Sequence, residues 1–294
     1  MAPRIPPASG SAPAEPGRSS IAVEAAAAAR ITLVLGAGDT GKTTLVTGLA
    51  SALASRGFVV GVVDADLGQS DVGPPTTVGL GRVRRPITGL DEAEVLGLEF
   101  LGITSPARCM RETGDATARL TVRALEAGCD RVLVDTSGLV EGDFGRALKR
   151  IKIDRVRPDL LIALQRAEEC EPILRLYEGD IAVLRLPAAT AGRRSPAERR
   201  RRRQRALDAH LAGAVPLALD LTRVAARPAP ATRGLAVVDL LGTLVGLDDR
   251  DGRTRGLGWV SALDAGKAQL TVETAVDGEG IAAVAIGRER YRVV

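Results

Sequence analysis

The eight residues Gly36-Ala37-Gly38-Asp39-Thr40-Gly41-Lys42-Thr43 follow the spacing G-x-x-x-x-G-K-[ST], and their flanks constrain the fold more than anything else in the chain. Before them, Ile31–Leu35 is a short apolar run with β-branched content, the pattern of a strand buried in a parallel sheet. After them, Leu45, Val46, Leu49, Ala50 and Leu53 fall on one side of a helix over residues 43–55, with Gly57 just past its end. A strand that feeds a helix through a glycine loop opens a crossover unit, so the expected class is α/β.

The pattern continues downstream. Phe58–Val63 reads as a second buried strand running into Asp64-Ala65-Asp66, and Gly68–Gly81, rich in Gly and Pro, reads as a loop. Further strands are expected at Leu98–Ile103, Val132–Val134, Leu160–Leu164 and Ile181–Leu186, with helices near 111–127, 143–155 and 168–177. Strands alternating with helices predict a mostly parallel sheet covered on both faces. After about residue 212 the chain changes to short apolar runs separated by Gly and Asp. These are Leu217–Leu221, Leu235–Val245, Leu257–Leu263, Ala268–Thr274, Ile281–Ile286 and Tyr291–Val294, and they suggest a small β domain. The expected division is a disordered, Pro/Ala/Ser-rich tail over 1–20, an α/β domain over 21–211 and a β-rich domain over 212–294.

Composition removes several function classes. The longest nearly apolar stretch, Gly234–Leu247, is interrupted by Asp239 and is shorter than the roughly 18–20 residues of a membrane span. The N-terminus lacks the apolar core of a signal peptide, so the default location is cytoplasmic. Three widely spaced cysteines and a single histidine argue against a zinc site or a disulfide framework. The formal charge is +4, yet residues 193–205 alone hold eight arginines against one glutamate, so the basicity is local and points to phosphate handled at one place.

Five features are candidates for chemistry. In the glycine loop, Gly36, Gly38, Asp39, Thr40 and Gly41 would wrap a triphosphate with backbone N–H groups, joined by Thr44 at the helix start. Lys42 would reach the β- and γ-phosphates and the Thr43 hydroxyl would ligate Mg²⁺. At the end of the second strand, Asp64 and Asp66 project to one side if the backbone stays extended; one would accept a proton and the other hold the metal. Asp135, ending a third strand, is a further metal candidate, followed by Thr136, Ser137 and Gly138. Thr104 and Ser105 end another strand on the same sheet edge and are read either as facing an acceptor or as a plain turn. Finally, Ser195-Pro196-Ala197-Glu198 forms a capping box that starts a helix near 196, on which Arg199 and Arg203 share a face, as do Arg201 and Arg205. Such a helix would close over ATP as a lid, or present a solvated or nucleic-acid-binding face.

Taken together, the P-loop, the D-x-D-x-G-Q sequence before a Pro-Pro loop (Asp64–Pro75), Thr104-Ser105-Pro106, the T-x-G turn leading to Val140-Glu141-Gly142, Gly145–Lys149, Ala163-Leu164-Gln165 and the arginine-rich lid recur in a familiar order. Over about residues 31–211 the chain resembles the polynucleotide 5′-hydroxyl kinases, the family of the mRNA 3′-end cleavage-factor kinase and the pre-rRNA-processing kinase. The resemblance implies a P-loop NTPase fold, ATP and Mg²⁺ held by Lys42 and Thr43, and Asp66 as general base with Asp64 the weaker partner. It further implies that Gln69 orients the acceptor or the metal shell, a clasp at Thr136–Gly138 positions substrate, and an R-x-x-x-R lid is formed by Arg199 and Arg203. The implied partner is a polynucleotide with a 5′-hydroxyl, RNA before DNA. Leu139 stands where several members place a base-stacking tryptophan. A nucleotide-hydrolysing switch and a small-molecule kinase are the alternatives from other classes, and Gln165 and Arg166 are read as nucleobase neighbours or as ordinary strand-end residues.

Overall fold

The computed structural model describes residues 16–189, 192, 194–234 and 239–291. The α/β part comprises α1 (Pro16–Ala28), β1 (Ile31–Gly36), α2 (Lys42–Ser55), β2 (Val60–Ala65), β3 (Thr77–Val83), β4 (Glu94–Phe100), α3 (Met110–Glu126), β5 (Arg131–Thr136), α4 (Gly142–Val156), β6 (Leu160–Gln165), α5 (Glu171–Leu174), β7 (Ala182–Pro187) and α6 (Pro196–His210). The strands that follow are β8 (Val215–Asp220), β9 (Ala225–Pro228), β10 (Thr243–Asp248), β11 (Thr254–Asp264), β12 (Gln269–Thr274) and β13 (Ala283–Arg290).

β7, β6, β1, β5 and β2 lie side by side in parallel, as the crossover pattern requires. β3 then runs antiparallel to β2, and β4 antiparallel to β3, so β4 again points with the parallel set. Both faces of the sheet are covered. Leu120, Ala116, Ile153 and Val156 of α3 and α4 pack against Leu33, Val63 and Val134 on one side. Ala22, Val46, Leu49 and Leu53 of α1 and α2 pack against Val34, Val62 and Ile162 on the other. Such two-sided burial explains why these strands read as continuous apolar runs.

Register places the chemistry on one edge. Asp64 pairs with Asp135 and Ala65 with Thr136, while Gly36 pairs with Leu164, so the segments after β1, β2, β5 and β6 emerge together. The C-terminal strands continue the sheet beyond β4, which β11 meets through the single pair Thr254–Leu98.

Several expectations are revised. Residues 16–20 belong to α1, and residues 1–15 of the expected tail lie outside the described residues. The expected loop over 68–81 contains five of the seven residues of β3. The strand placed at 98–103 runs from Glu94 to Phe100, and the helix expected over 168–177 shortens to α5, with Pro172 in its first turn. The run 235–245 contributes a strand only from Thr243, with 235–238 outside the described residues; of 291–294 only Tyr291 is described, and it lies beyond β13.

Candidate active site

A cleft of roughly 770 Å³ opens at the edge where β1, β2, β4 and β5 end. Its wall takes in Gly38 to Thr44, Asp66, Gln69, Thr104, Ser105, Thr136 to Gly138, Arg199 and Arg203, so nearly every residue singled out in the sequence faces one space. Gly36, Asp64 and Asp135 stand behind that wall.

The phosphate loop is braced by its own side chains. Lys42 Nζ donates to Ala37 O at 2.7 Å and Thr40 Oγ1 to the same carbonyl at 3.0 Å. Arg166 Nη2 reaches Asp39 O at 2.8 Å and Gly38 O at 3.3 Å from the outside. Arg166 is thus a clamp on the loop, and Gln165 Nε2 is bound to Glu171 Oε1 at 2.8 Å; neither is among the residues of the cleft wall. Burial lowers the Lys42 pKa, against the opposing pull of Asp135 and Asp66.

The two acidic residues of D-x-D part company, correcting the expectation that both face the reaction. Asp64 is buried at 1% exposure, and its carboxylate accepts from Asp66 N (3.0 Å), Ser70 Oγ (3.2 Å), Asp71 N (2.6 Å) and Val72 N (3.2 Å). It therefore organises the turn that presents Asp66. Burial and the neighbouring Asp135 charge raise its pKa well above the usual carboxylate range. Among the described residues Asp66 is engaged through Oδ1 alone, accepting from Gly68 N at 3.0 Å and Gln69 N at 3.2 Å, and it lines the cleft.

Thr43 Oγ1 donates to Asp135 Oδ2 at 2.7 Å. Asp135 Oδ1, Ser137 Oγ and Gln69 Oε1 are buried with no hydrogen-bond partner among the described residues. Burial raises the Asp135 pKa to about 6, although the Thr43 hydroxyl and Lys42 oppose the rise. An all-oxygen set of carboxylate, hydroxyl and unpaired buried oxygen suits a hard divalent cation.

The T-x-G turn packs on the phosphate loop backbone to backbone, since a Cβ on Gly138 would lie 2.6 Å from Gly38 Cα and N. Beneath it, the buried Lys149 donates from Nζ to Thr136 Oγ1 at 2.8 Å and to Ser137 O, while Thr136 Oγ1 donates to Val34 O at 2.7 Å. Three residues along α4, the buried Lys152 donates to Ala65 O at 2.7 Å, next to Asp66. In the sequence Lys149 closes the Gly145–Lys149 motif with no evident role and Lys152 lies outside every motif; two lysines three residues apart among apolar helix positions are the signal that could have marked them.

Above the cleft, α6 begins with the expected capping box, Ser195 Oγ accepting from Glu198 N and Glu198 Oε2 from Ser195 N. Arg199, Arg202 and Arg203 line the cleft, while Arg200, Arg201 and Arg205 are exposed. Arg199 Nη2 meets Asp39 Oδ2 at 2.7 Å, Gln69 Nε2 donates to Arg199 O at 3.2 Å, and Arg202 Nη2 pairs with Asp71. Burial raises the Asp39 pKa, but the Arg194 N–H and the Arg199 guanidinium outweigh it and hold the carboxyl below its ordinary value. Arg202, Arg194 and Asp71 were missed from sequence, because a run of five arginines does not say which face is inward. No aromatic side chain lines the cleft among the described residues, and Leu139, 41% exposed, occupies its rim.

A family model described as the mRNA cleavage and polyadenylation factor CLP1 P-loop matches residues 36–213. The chain is 41% identical over 175 residues to a polyribonucleotide 5′-hydroxyl-kinase of Pyrococcus furiosus, covering 58% of this chain and 48% of that protein. Over 154 residues it is 39% identical to the polyribonucleotide 5′-hydroxyl-kinase of Methanocaldococcus jannaschii, covering 52% and 42%. The chain thus spans about half the length of the curated relatives it matches. Among solved structures, the wild-type Clp1p–Pcf11p complex superposes with a TM-score of 0.70 at 11% identity, covering 88% of this chain and 74% of that one, which establishes a common fold.

Proposed function

The chain belongs to the CLP1 P-loop family, and on that premise we propose that it is an ATP-dependent polynucleotide 5′-hydroxyl kinase acting on RNA. The observation that carries this reading is the convergence of Lys42, Asp66, the 136–138 turn and the arginines of α6 on one cleft. A hydrolytic switch needs the phosphate loop and Asp135; it has no use for a base with a free carboxylate oxygen under an arginine lid.

In this reading the loop N–H groups and Lys42 hold the β- and γ-phosphates. Asp66 accepts the proton of the 5′-hydroxyl as that oxygen bonds the γ-phosphorus and the bond to the β-phosphate oxygen breaks, releasing ADP. Arg199 and Arg203 stabilise the charge on the transferring group and α6 keeps water out. Thr43, Asp135 and Asp66 would hold Mg²⁺, which when bound would supply positive charge to offset that of the phosphates. Thr104, Ser105 and the 136–138 turn bind the acceptor. Residues 21–211 form the kinase unit and 212–294 the accessory β unit. A cytoplasmic location accords with three free, buried cysteines, and none of the described helices is long and apolar enough to cross a membrane.

The test is transfer from γ-labelled ATP to matched 5′-hydroxyl RNA and DNA oligonucleotides, beside Lys42→Ala and an acceptor-free control. Lys42-dependent labelling, stronger on RNA, is expected. Lys42-dependent hydrolysis without labelling would overturn the reading in favour of the switch.

A further inference from the structure

The acceptor side of the cleft is held from outside the region the family model covers. Residues 101–104, leaving β4, run along the end of β13. Gly102 and Gly287 meet without side chains, a Cβ on Gly102 standing 2.8 Å from Gly287 Cα. Arg288 N donates to Gly102 O at 2.8 Å. One residue further along β13, Glu289 Oε1 accepts from both Thr104 N (3.2 Å) and Thr104 Oγ1 (3.0 Å). The C-terminal strands thus fix both the backbone and the side chain of a residue that lines the cleft.

That tie decides what Thr104 can recognise. A hydroxyl has one proton and two lone pairs, and here the proton is committed to a carboxylate, a charge-assisted bond stronger than a neutral one. Toward the cleft Oγ1 can therefore only accept. Its position is also specific: a Cβ on Gly68 would lie 2.9 Å from Thr104 O, so Thr104 abuts the turn that presents Asp66.

We infer that Glu289 is a positioning residue for the acceptor, orienting Thr104 Oγ1 to receive a hydrogen-bond donor of the acceptor's terminal nucleoside. The inference rests on the kinase reading above and gives the C-terminal strands a defined part in it: they set acceptor binding and leave nucleotide binding alone.

The test measures KM for a 5′-hydroxyl oligonucleotide and for ATP separately, in the full chain, for Thr104→Val, Thr104→Ser, Glu289→Ala and Glu289→Gln. Loss of one neutral hydrogen bond is worth about a fivefold rise in acceptor KM. Thr104→Val and Glu289→Ala should show that rise with the KM for ATP changed less than about twofold. Thr104→Ser should restore the acceptor KM, and Glu289→Gln, whose amide oxygen still accepts the hydroxyl proton, should fall between. An unchanged acceptor KM in Thr104→Val, or equal rises in both KM values, would overturn the inference. Should Glu289→Ala fail to fold, the near-isosteric Thr104→Val decides alone. A wild-type protein that labels no oligonucleotide would instead overturn the kinase reading itself, a separate and recognisable outcome.

Discussion

Arg199 Nη2 rests 2.7 Å from Asp39 Oδ2, so a residue inside the phosphate loop anchors the helix that covers it. The Asp39 side chain is 8% exposed but that of Arg199 is 40% exposed, and solvent screening at the guanidinium keeps the pair's contribution to stability to about 1 kcal/mol. Its value is therefore expected in turnover. Arg199→Ala and Arg203→Ala should each lower kcat by at least about tenfold, as lost charge stabilisation of a phosphoryl group does, with smaller changes in the KM for ATP. Steady-state kinetics check this, and an unchanged kcat in both variants would mark α6 as a solvated helix.

Asp64 and Asp66 should separate cleanly. Asp66→Asn removes the proposed base and should abolish transfer while the melting temperature stays near that of the wild type. Asp64→Ala strips a buried acceptor from four donors and should cost on the order of 3 kcal/mol in chemical denaturation. Equal loss of stability in both would contradict the division of labour.

Burial pushes Lys152 from its ordinary 10.5 down to about 8. Below pH 8 the folded protein carries the cost of a buried ammonium. Between pH 8 and 10.5 the native state has released the proton while the unfolded state still binds it, so this group's contribution to stability rises with pH in that window. Lys152→Met removes the titration. The wild type should gain on the variant from pH 8 to 10, and urea melts at three pH values would show it; a constant gap would mean that Lys152 stays protonated.

Leu139 at the rim offers no π-face to a base. One stacked base is worth roughly 1–3 kcal/mol, so Leu139→Trp should lower the KM for an oligonucleotide at least about fivefold. An unaltered KM would place the acceptor base elsewhere.

The strand–loop–helix at 31–55 was legible because local pattern and tertiary role agree there. β3 was not, because its glycines serve packing: a Cβ on Gly79 would lie 1.9 Å from Val72 O, where the returning loop crosses the strand. Glycines placed for a close approach look like turn residues when read one after another. The same limit hid the structural part played by Asp64, whose partners lie in the turn over 66–72, and by Lys149, whose buried amine reads as a surface residue until the clasp is known. Arg199 and Arg203 were legible by helical spacing, but Arg202 was not, because Asp71 lies far away in sequence.

Gly38 and Gly138 touch through bare backbone. A sequence drifting by single substitutions cannot enlarge Gly138 without shoving the phosphate loop, whereas a Cβ on Gly38 would point toward Arg199 Nη2 at 3.4 Å, so the 136–138 turn is bound to keep its glycine while the loop stays where it is. Change in what such a protein accepts is then channelled to the rim, where Leu139 and Ser105 have room to be replaced and nucleotide handling is left undisturbed.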